Sequence, residues 1–539
     1  MNTLLDECNK LISLYELQRI PLEKQLHTIW WESVTDTKTP ITRNASEASI
    51  KLWKIHSNHK FLQKVNRKLD DCIKAGYQGQ EFRCLEILKA NFIREGFSGD
   101  LRKGIESLSS LLEHRALNYR PVIDYRGRKR RLTQNDIHAE LRSGLKIQRK
   151  ALWEGGRRVG KILFRSGFIE LVKLRNQGAR ASGFNDFHEM SLILDELDPC
   201  WLDNFMTELD NVTRVPFEIL KEQIDTRLAS YFGIKTTSLM PWHYSDLHFQ
   251  ELPVWKKTDP GKKLKSDPVK NISRLFRSLE IDISDILLSS DFKKRKNKIS
   301  HAYCLDLDRM GDVRIIATDT NDFTFISTLL HECGHAAFFK YINSDLPYIL
   351  RQPAHTFLTE GVAIFLQNFA WDADFLSTLY SKKPGFWKKY QTNNLERIQR
   401  ESLIFARWSL VMYQFEKALY KNPEQDLQKL WWELVSKYQL LQVPPDRESR
   451  CDWLSKVHLI TNPVYYHNYL LGTVFSSALM RKFFPLSTPE SLLSSAKSLK
   501  IGRFFRDSIF MHGKSLHWQD VILKTFGEVL SPTMLTGSD

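Results

Sequence analysis

Cysteine is scarce in this chain of 539 residues. Seven are scattered at Cys8, Cys72, Cys84, Cys200, Cys304, Cys333 and Cys451, odd in number and never in CxxC spacing. That pattern argues against a disulfide framework and for free thiols in a reducing compartment. Long apolar runs are missing too. No 18 consecutive residues are apolar, and NYLLGTVFSSALM is too short and too mixed to span a bilayer. The first residues, MNTLLDECNKLISLYELQRI, carry Asp6, Glu7 and Lys10 where a secretory signal needs an apolar stretch. There is no internal repeat and no low-complexity tract. These absences lead us to expect a soluble, cytoplasmic protein with no membrane partner.

What is present in excess is positive charge: 78 basic against 63 acidic residues, a net charge of +15. Such an excess invites nucleic acid or a membrane surface as a partner. The charge is spread, however, and its densest run, Arg126 to Arg131 (RGRKRR), sits between RPVIDY and LTQNDI. It reads as a solvated turn between elements rather than a nucleic-acid arm, so nucleic acid is not the expected partner. Fourteen tryptophans and 32 phenylalanines imply a packed globule.

Apolar residues recur at three- and four-residue steps through almost all of residues 1–250 and again after 360, which predicts a mainly α protein. Pro40, Pro121 and Pro199 mark breaks between helices. Residues 240–270, rich in proline and lysine, form the first long non-helical stretch. The one clear β pattern is Ser300–Asp308 followed by Asp312–Ala317, a hairpin about Arg309-Met310-Gly311. We expect a small antiparallel sheet beside the helix that follows.

That helix carries His331-Glu332-Cys333-Gly334-His335. Thr320, Asn321 or Asp322 can cap it, and Phe325, Ile326, Leu329, Leu330, Cys333 and Ala337 form its apolar stripe. Histidines four apart lie one turn above each other, so both imidazoles can reach one metal ion. Glu332 is placed to take a proton from water at that metal, which makes HExxH a metallopeptidase signature. Catalytic zinc takes three protein ligands and an open position. Glu360, 25 residues after His335 in a second helix-like stretch, is the candidate third ligand. Its neighbours Val362, Ala363, Phe365 and Leu366 are those of a buried helix, and a buried carboxylate needs a partner. One Zn²⁺ per chain is therefore expected.

With these residues assembled, the chain resembles zinc peptidases of the angiotensin-converting enzyme and thimet oligopeptidase superfamily over most of residues 115–475. Four blocks carry the likeness: LVKLRNQGARASGFNDF (171–187), SHAYCLDLDRMGDVRI (300–315), HECGH with Glu360, and LSKVHLITNPVYYHNYLLGTVFSSAL (454–479). The resemblance implies zinc on His331, His335 and Glu360 with Glu332 as general base. It implies a substrate contact from His301, backbone pairing of the peptide with Ala302, and Tyr469 with His458 steadying the oxyanion. Tyr466 would join Tyr469 on one helical face, and Lys456 would meet the peptide's C-terminal carboxylate. It also implies two helical halves around a deep central channel, within one continuous fold: residues 1–110 an N-terminal helical region able to form a lid, residues 111–539 the catalytic domain.

The chain departs from the converting enzymes in three places. Ile364 stands where they have the aspartate that orients a ligand histidine, so that support must come from elsewhere. Asn468 replaces a chloride-binding arginine, so chloride activation is not expected. His458 is one residue further from the tyrosines. The expected function is a zinc oligopeptidase of endopeptidase type acting on short unstructured peptides, as a monomer or weak homodimer. A peptidyl-dipeptidase releasing C-terminal dipeptides is the alternative. A non-catalytic basic protein that binds zinc or nucleic acid is the reading from another class, marked by salt-dependent nucleic-acid binding without peptide cleavage.

Overall fold

The computed structural model describes residues 2–36, 43–125, 127–143, 146–253, 264–295, 298–299, 301–380, 382–484 and 495–536. Pro40, Arg126 and Ser300, and residues 254–263 of the proline- and lysine-rich stretch, lie outside the described residues. Among those described, helix dominates, and strands form only two antiparallel pairs. The mainly α expectation is borne out. No described helix is long and apolar enough to cross a membrane.

Contacts gather the chain into two compact units, each assembled from distant segments. The first comprises Met1–Phe97, Asp259–Asn394 and Leu471–Leu530; the second comprises Ser98–Thr258, Leu395–Leu470 and Ser531–Asp539.

In the first unit, helix Asn2–Thr35 buries Cys8, Ile12, Tyr15, Arg19 and Glu23, residues three and four apart on one face. Two of these are charged, and burial makes their pairing obligatory. Arg19 Nε meets Glu23 Oε2 at 2.7 Å, and Glu23 also takes Arg309 from a hairpin turn. Trp31 and Val34, further along the helix, pack on Leu307 and Ile316. The hairpin thus anchored pairs Tyr303–Asp306 with Val313–Ile316, Tyr303 opposite Ile316 and Asp306 opposite Val313. Its turn is held by carboxylates. Asp306 Oδ1 accepts the Arg309 amide at 2.7 Å, and Asp308 Oδ1 accepts those of Met310 and Asp312 at 2.9 and 3.1 Å. Gly311, at φ +117°, supplies a conformation other residues rarely adopt.

The outer edge of Val313–Ile316 is covered, since Asp291 exchanges backbone hydrogen bonds with Ile315 and Ala317. Among the described residues, Tyr303–Asp306 pairs with no strand but Val313–Ile316, so no strand covers its other edge, where the Cys304 amide donates to Glu332.

The second unit contains a sheet that the sequence reading missed. Val122–Tyr125 pairs with Arg128–Arg131, so these four residues of the run expected as a solvated turn form a strand. Every residue of Arg128–Arg131 is exposed. With no apolar face in that strand there is no alternation to read, and the pairing is set by the tight turn at Gly127 (φ +77°). Pro121 and Pro199 stand where breaks were expected. Pro121 precedes the strand, and Pro199 opens helix Pro199–Phe232 behind the cap Asp198, which accepts from Trp201 N at 2.6 Å.

The block at 171–187 also belongs to this unit, mostly as helix Phe168–Ala181. Buried Arg175 donates to the carbonyls of Leu459 and Ile460 at 3.0 and 2.9 Å. Asn176 bridges Tyr420 O and Phe187 N at 2.8 and 2.9 Å. Arg175 thereby holds the short helix His458–Thr461 by its backbone.

Candidate active site

Asp322, of the three expected candidates, caps helix Phe323–Lys340, accepting from Phe325 N at 3.1 Å, while Thr320 Oγ1 braces its carboxylate at 2.6 Å. The helix presents His331 and His335 one turn apart. Helix Thr356–Gln367 brings Glu360 to them. His331 Nε2 and His335 Nε2 are 3.2 Å apart, and Glu360 Oε2 lies 3.7 and 3.9 Å from them. The three atoms form a triangle whose centre is about 2.1 Å from each, the length of a zinc–nitrogen or zinc–oxygen bond.

The protonation of the histidines tests the fit. His335 Nδ1 lies 2.8 Å from Thr359 Oγ1 and His331 Nδ1 3.3 Å from Gln367 Oε1. Gln367 is itself oriented by donating to Ser327 Oγ at 3.0 Å, so its oxygen must accept from His331. With the Nδ1 protons directed outward, both Nε2 lone pairs point at each other and at a carboxylate oxygen. Three acceptors at such separations repel unless a cation lies among them. An imidazolium proton does not resolve this at neutral pH, because burial pushes His331 down to about 4 and His335 down as well. Neutral imidazole is the form that ligates metal. The residues fit a zinc ion, and His331, His335 and Glu360 form a group that could hold one.

Glu332 is buried next to this triangle. Burial first, and then the charge of Glu360, pushes its carboxyl up to about 8, partly offset by a hydrogen bond from the Cys304 amide. A divalent cation on the three ligands reverses the second of these influences and draws the group back toward ionisation. Cys304 lies in the open-edged strand, so the candidate base and that strand are in direct contact. His301 is exposed and Ala302 half-buried, both just before the strand. His331, His335, Glu360, Glu332, His301 and Ala302 all belong to the first unit.

Lys456, His458, Tyr466 and Tyr469 belong to the second unit, where the structure gathers them. The His458 ring is 5.5 Å from that of Tyr466 and 6.2 Å from that of Tyr469, and the two tyrosine rings are 5.5 Å apart. Lys456 Nζ donates to Gln250 Oε1 at 2.8 Å, and the Tyr466 hydroxyl lies 3.2 Å from the same oxygen. The Trp408 indole donates to the Tyr466 hydroxyl at 2.6 Å. Burial pushes Lys456 down to about 8, against the pull of Asp246.

Several residues of the site were not legible beforehand. Gln367 takes the part left vacant by Ile364, from a position seven residues after Glu360 and therefore on the same helical face; that spacing was the available signal. Thr359 and Gln250 had none. Nor did three glycines that let helices meet at the candidate metal ligands. A Cβ on Gly334 would fall 2.6 Å from Ala363 Cα, one on Gly361 2.8 Å from Gly472 O, and one on Gly472 2.9 Å from Glu360 Cβ.

Residues 287–536 match the family model of peptidase family M3. That stretch takes in the hairpin, HECGH, Glu360 and the block from Lys456 to Tyr469, and leaves out residues 171–187. The likeness to the thimet oligopeptidase group of zinc peptidases is borne out there, and the family implies hydrolysis of peptide bonds. No curated protein matches the chain.

Proposed function

We propose that this chain, of peptidase family M3 over residues 287–536, is a zinc-dependent peptidase of short, unfolded peptides. The observation that carries the reading is the convergence of His331 Nε2, His335 Nε2 and Glu360 Oε2 about one point, next to buried Glu332. When bound there, zinc supplies Lewis acidity, acidifying water and polarising a peptide carbonyl. Glu332 accepts the proton of the attacking water on its carboxylate and passes it to the leaving amine. The open edge of Tyr303–Asp306 suits an extended peptide, which adds as a further strand and is thereby held by main-chain hydrogen bonds that ignore its sequence. Ala302 continues that edge and His301 flanks it. The family resemblance assigns the oxyanion to Tyr469 and His458, and such donors are worth about 10²–10³ in kcat each.

One observation favours the dipeptide-releasing reading over internal cleavage. Lys456 and Tyr466 both address Gln250 Oε1. An ammonium, a phenol and an amide so grouped match the donors a peptide's terminal carboxylate requires. Such an anchor makes the free C-terminal carboxylate part of substrate recognition.

Digestion of a mixed peptide library, read by mass spectrometry, tests both readings. Purified protein should carry about one zinc per chain, lose activity with a chelator and recover it with zinc. Full zinc occupancy in both His335→Ala and Glu360→Ala would overturn the metal assignment. Equal cleavage of free-acid and C-terminally amidated peptides would leave the endopeptidase and sink the carboxylate anchor.

A further inference from the structure

The second unit contains a cavity of about 400 Å³ that none of the candidate site residues above lines. Its wall carries six cationic side chains, Arg157, Arg158, Lys161, Arg165, Arg447 and Arg450, against two carboxylates, Glu154 and Asp452. The carboxylates are already engaged. Asp452 Oδ2 accepts from Arg447 Nε at 2.8 Å, Gln428 Nε2 at 2.9 Å and the Trp432 indole at 3.1 Å. Glu154 Oε1 accepts from Arg447 Nη1 at 2.7 Å. Six cations thus face two carboxylates, both already bonded to Arg447, and Arg157 shares the field of the buried Asp452.

Arg157 is the telling residue. It is only 4 % exposed, yet it pairs with no carboxylate. Its hydrogen bonds go to the carbonyls of Leu247 and Asp452 and to His248, and its Nε has no partner. Its guanidinium packs on the Trp153 ring at 4.5 Å. The charge that offsets its burial comes from Asp452, which is itself hydrogen-bonded to Arg447 and so shared between the two guanidinium groups. Arg158 and Arg165 are exposed and Lys161 half-buried, and none of the three side chains forms an ion pair or hydrogen bond among the described residues. A second cavity, of about 330 Å³, shares Glu154, Arg158, Arg447 and Arg450 with the first, so the two adjoin.

We propose that this basic cavity binds a small ligand carrying two or more linked phosphate groups, held by Arg158, Lys161 and Arg165. Guanidinium groups present planar donor forks that match phosphate oxygens in pairs. The surplus of cations over carboxylates exceeds what one carboxylate or chloride would balance, and the volume exceeds that of a single phosphate. The concave shape favours a small molecule over a nucleic-acid strand, whose charges track an extended groove. The site is independent of the peptidase reading, since neither the metal group nor Lys456, His458 or the tyrosines line it.

Calorimetric titration of the full chain with inorganic pyrophosphate at fixed ionic strength tests the proposal. Saturable binding of one pyrophosphate per chain is expected. The double variant Arg158→Glu with Lys161→Glu should weaken it at least roughly tenfold, as loss of charge-assisted hydrogen bonds implies. Reversing Lys129 and Arg131, which lie in the exposed strand and not in the cavity, should leave the affinity within about twofold. An ATP arm separates the sources: tighter binding than pyrophosphate identifies a nucleotide, and equal binding identifies the phosphate chain alone. No binding at millimolar pyrophosphate would overturn the proposal. So would equal weakening by both double variants, which reports diffuse charge, or an oligonucleotide that binds and is not displaced by pyrophosphate.

Discussion

Replacing Gly334 by alanine should damage the metal centre more than the fold. Gly334 lies inside helix Phe323–Lys340, where alanine by itself gains about 1 kcal/mol in helix propensity. Against that gain, the new Cβ would sit 2.6 Å from Ala363 Cα, 3.2 Å from its nitrogen and 3.3 Å from its Cβ. The first contact is about 1 Å inside the ~3.5 Å at which carbon atoms attract. Backbone has no rotamer to yield, so the two helices must part. Overpacking of this kind costs about 1–3 kcal/mol, leaving a net loss of roughly 0–2 kcal/mol. The metal group suffers differently, because His331 and His335 ride on one helix and Glu360 on the other. Widening gaps that now measure 3.7 and 3.9 Å takes the carboxylate out of reach of an ion held by the imidazoles. We expect metal affinity to fall at least roughly tenfold, the scale seen when groups that orient ligands are removed. Competition against a fluorescent chelator measures this, and thermal melting of the chelator-treated protein measures the fold. A variant with wild-type affinity and an unchanged Tm would refute the close approach of the two helices and the reasoning built on it.

Three further outcomes follow from the geometry. Glu332→Gln keeps shape and hydrogen bonding but removes the base, so zinc content should hold while peptide turnover drops by about 10²–10⁴; turnover within a few-fold of wild type would assign the proton transfer to another group. Thr359→Val and Gln367→Leu remove the partners of the two Nδ1 atoms and should each weaken zinc about 10- to 100-fold, measured by chelator competition, with unchanged affinity counting against the assigned orientations. Lys456, pushed down to about 8, is an ammonium below that pH and neutral above it. KM for free-acid peptides should therefore rise as pH climbs through about 8 while KM for amidated peptides stays flat, and parallel profiles for the two would separate Lys456 from carboxylate binding.

Much of the site was legible because its signals are local. The four-residue spacing of His331 and His335 places them on one face of any helix, and Glu360 stood out as a carboxylate among Val362, Ala363, Phe365 and Leu366, all of which are fully buried. The hairpin about Arg309-Met310-Gly311 was readable from alternation and turn residues. The strand Arg128–Arg131 was not, because a strand exposed along its whole length has no apolar period to betray it.

What the sequence determined by itself is therefore the chemistry that repeats along the chain: the helical period, the metal-ligand spacing, and the blocks whose order marks the family. Only the tertiary structure decided what stands behind those residues. Gln367 and Thr359 support the histidines, Gln250 joins Lys456 to Tyr466, and Gly334, Gly361 and Gly472 admit the helices. Six cations and two carboxylates meet in a cavity whose wall combines residues from 119–165 and 447–452. The reason is physical. Periodicity follows from backbone geometry within a few residues, whereas a hydrogen-bond partner or a steric gap depends on segments separated by up to hundreds of positions, and their approach is set by packing rather than by any local preference.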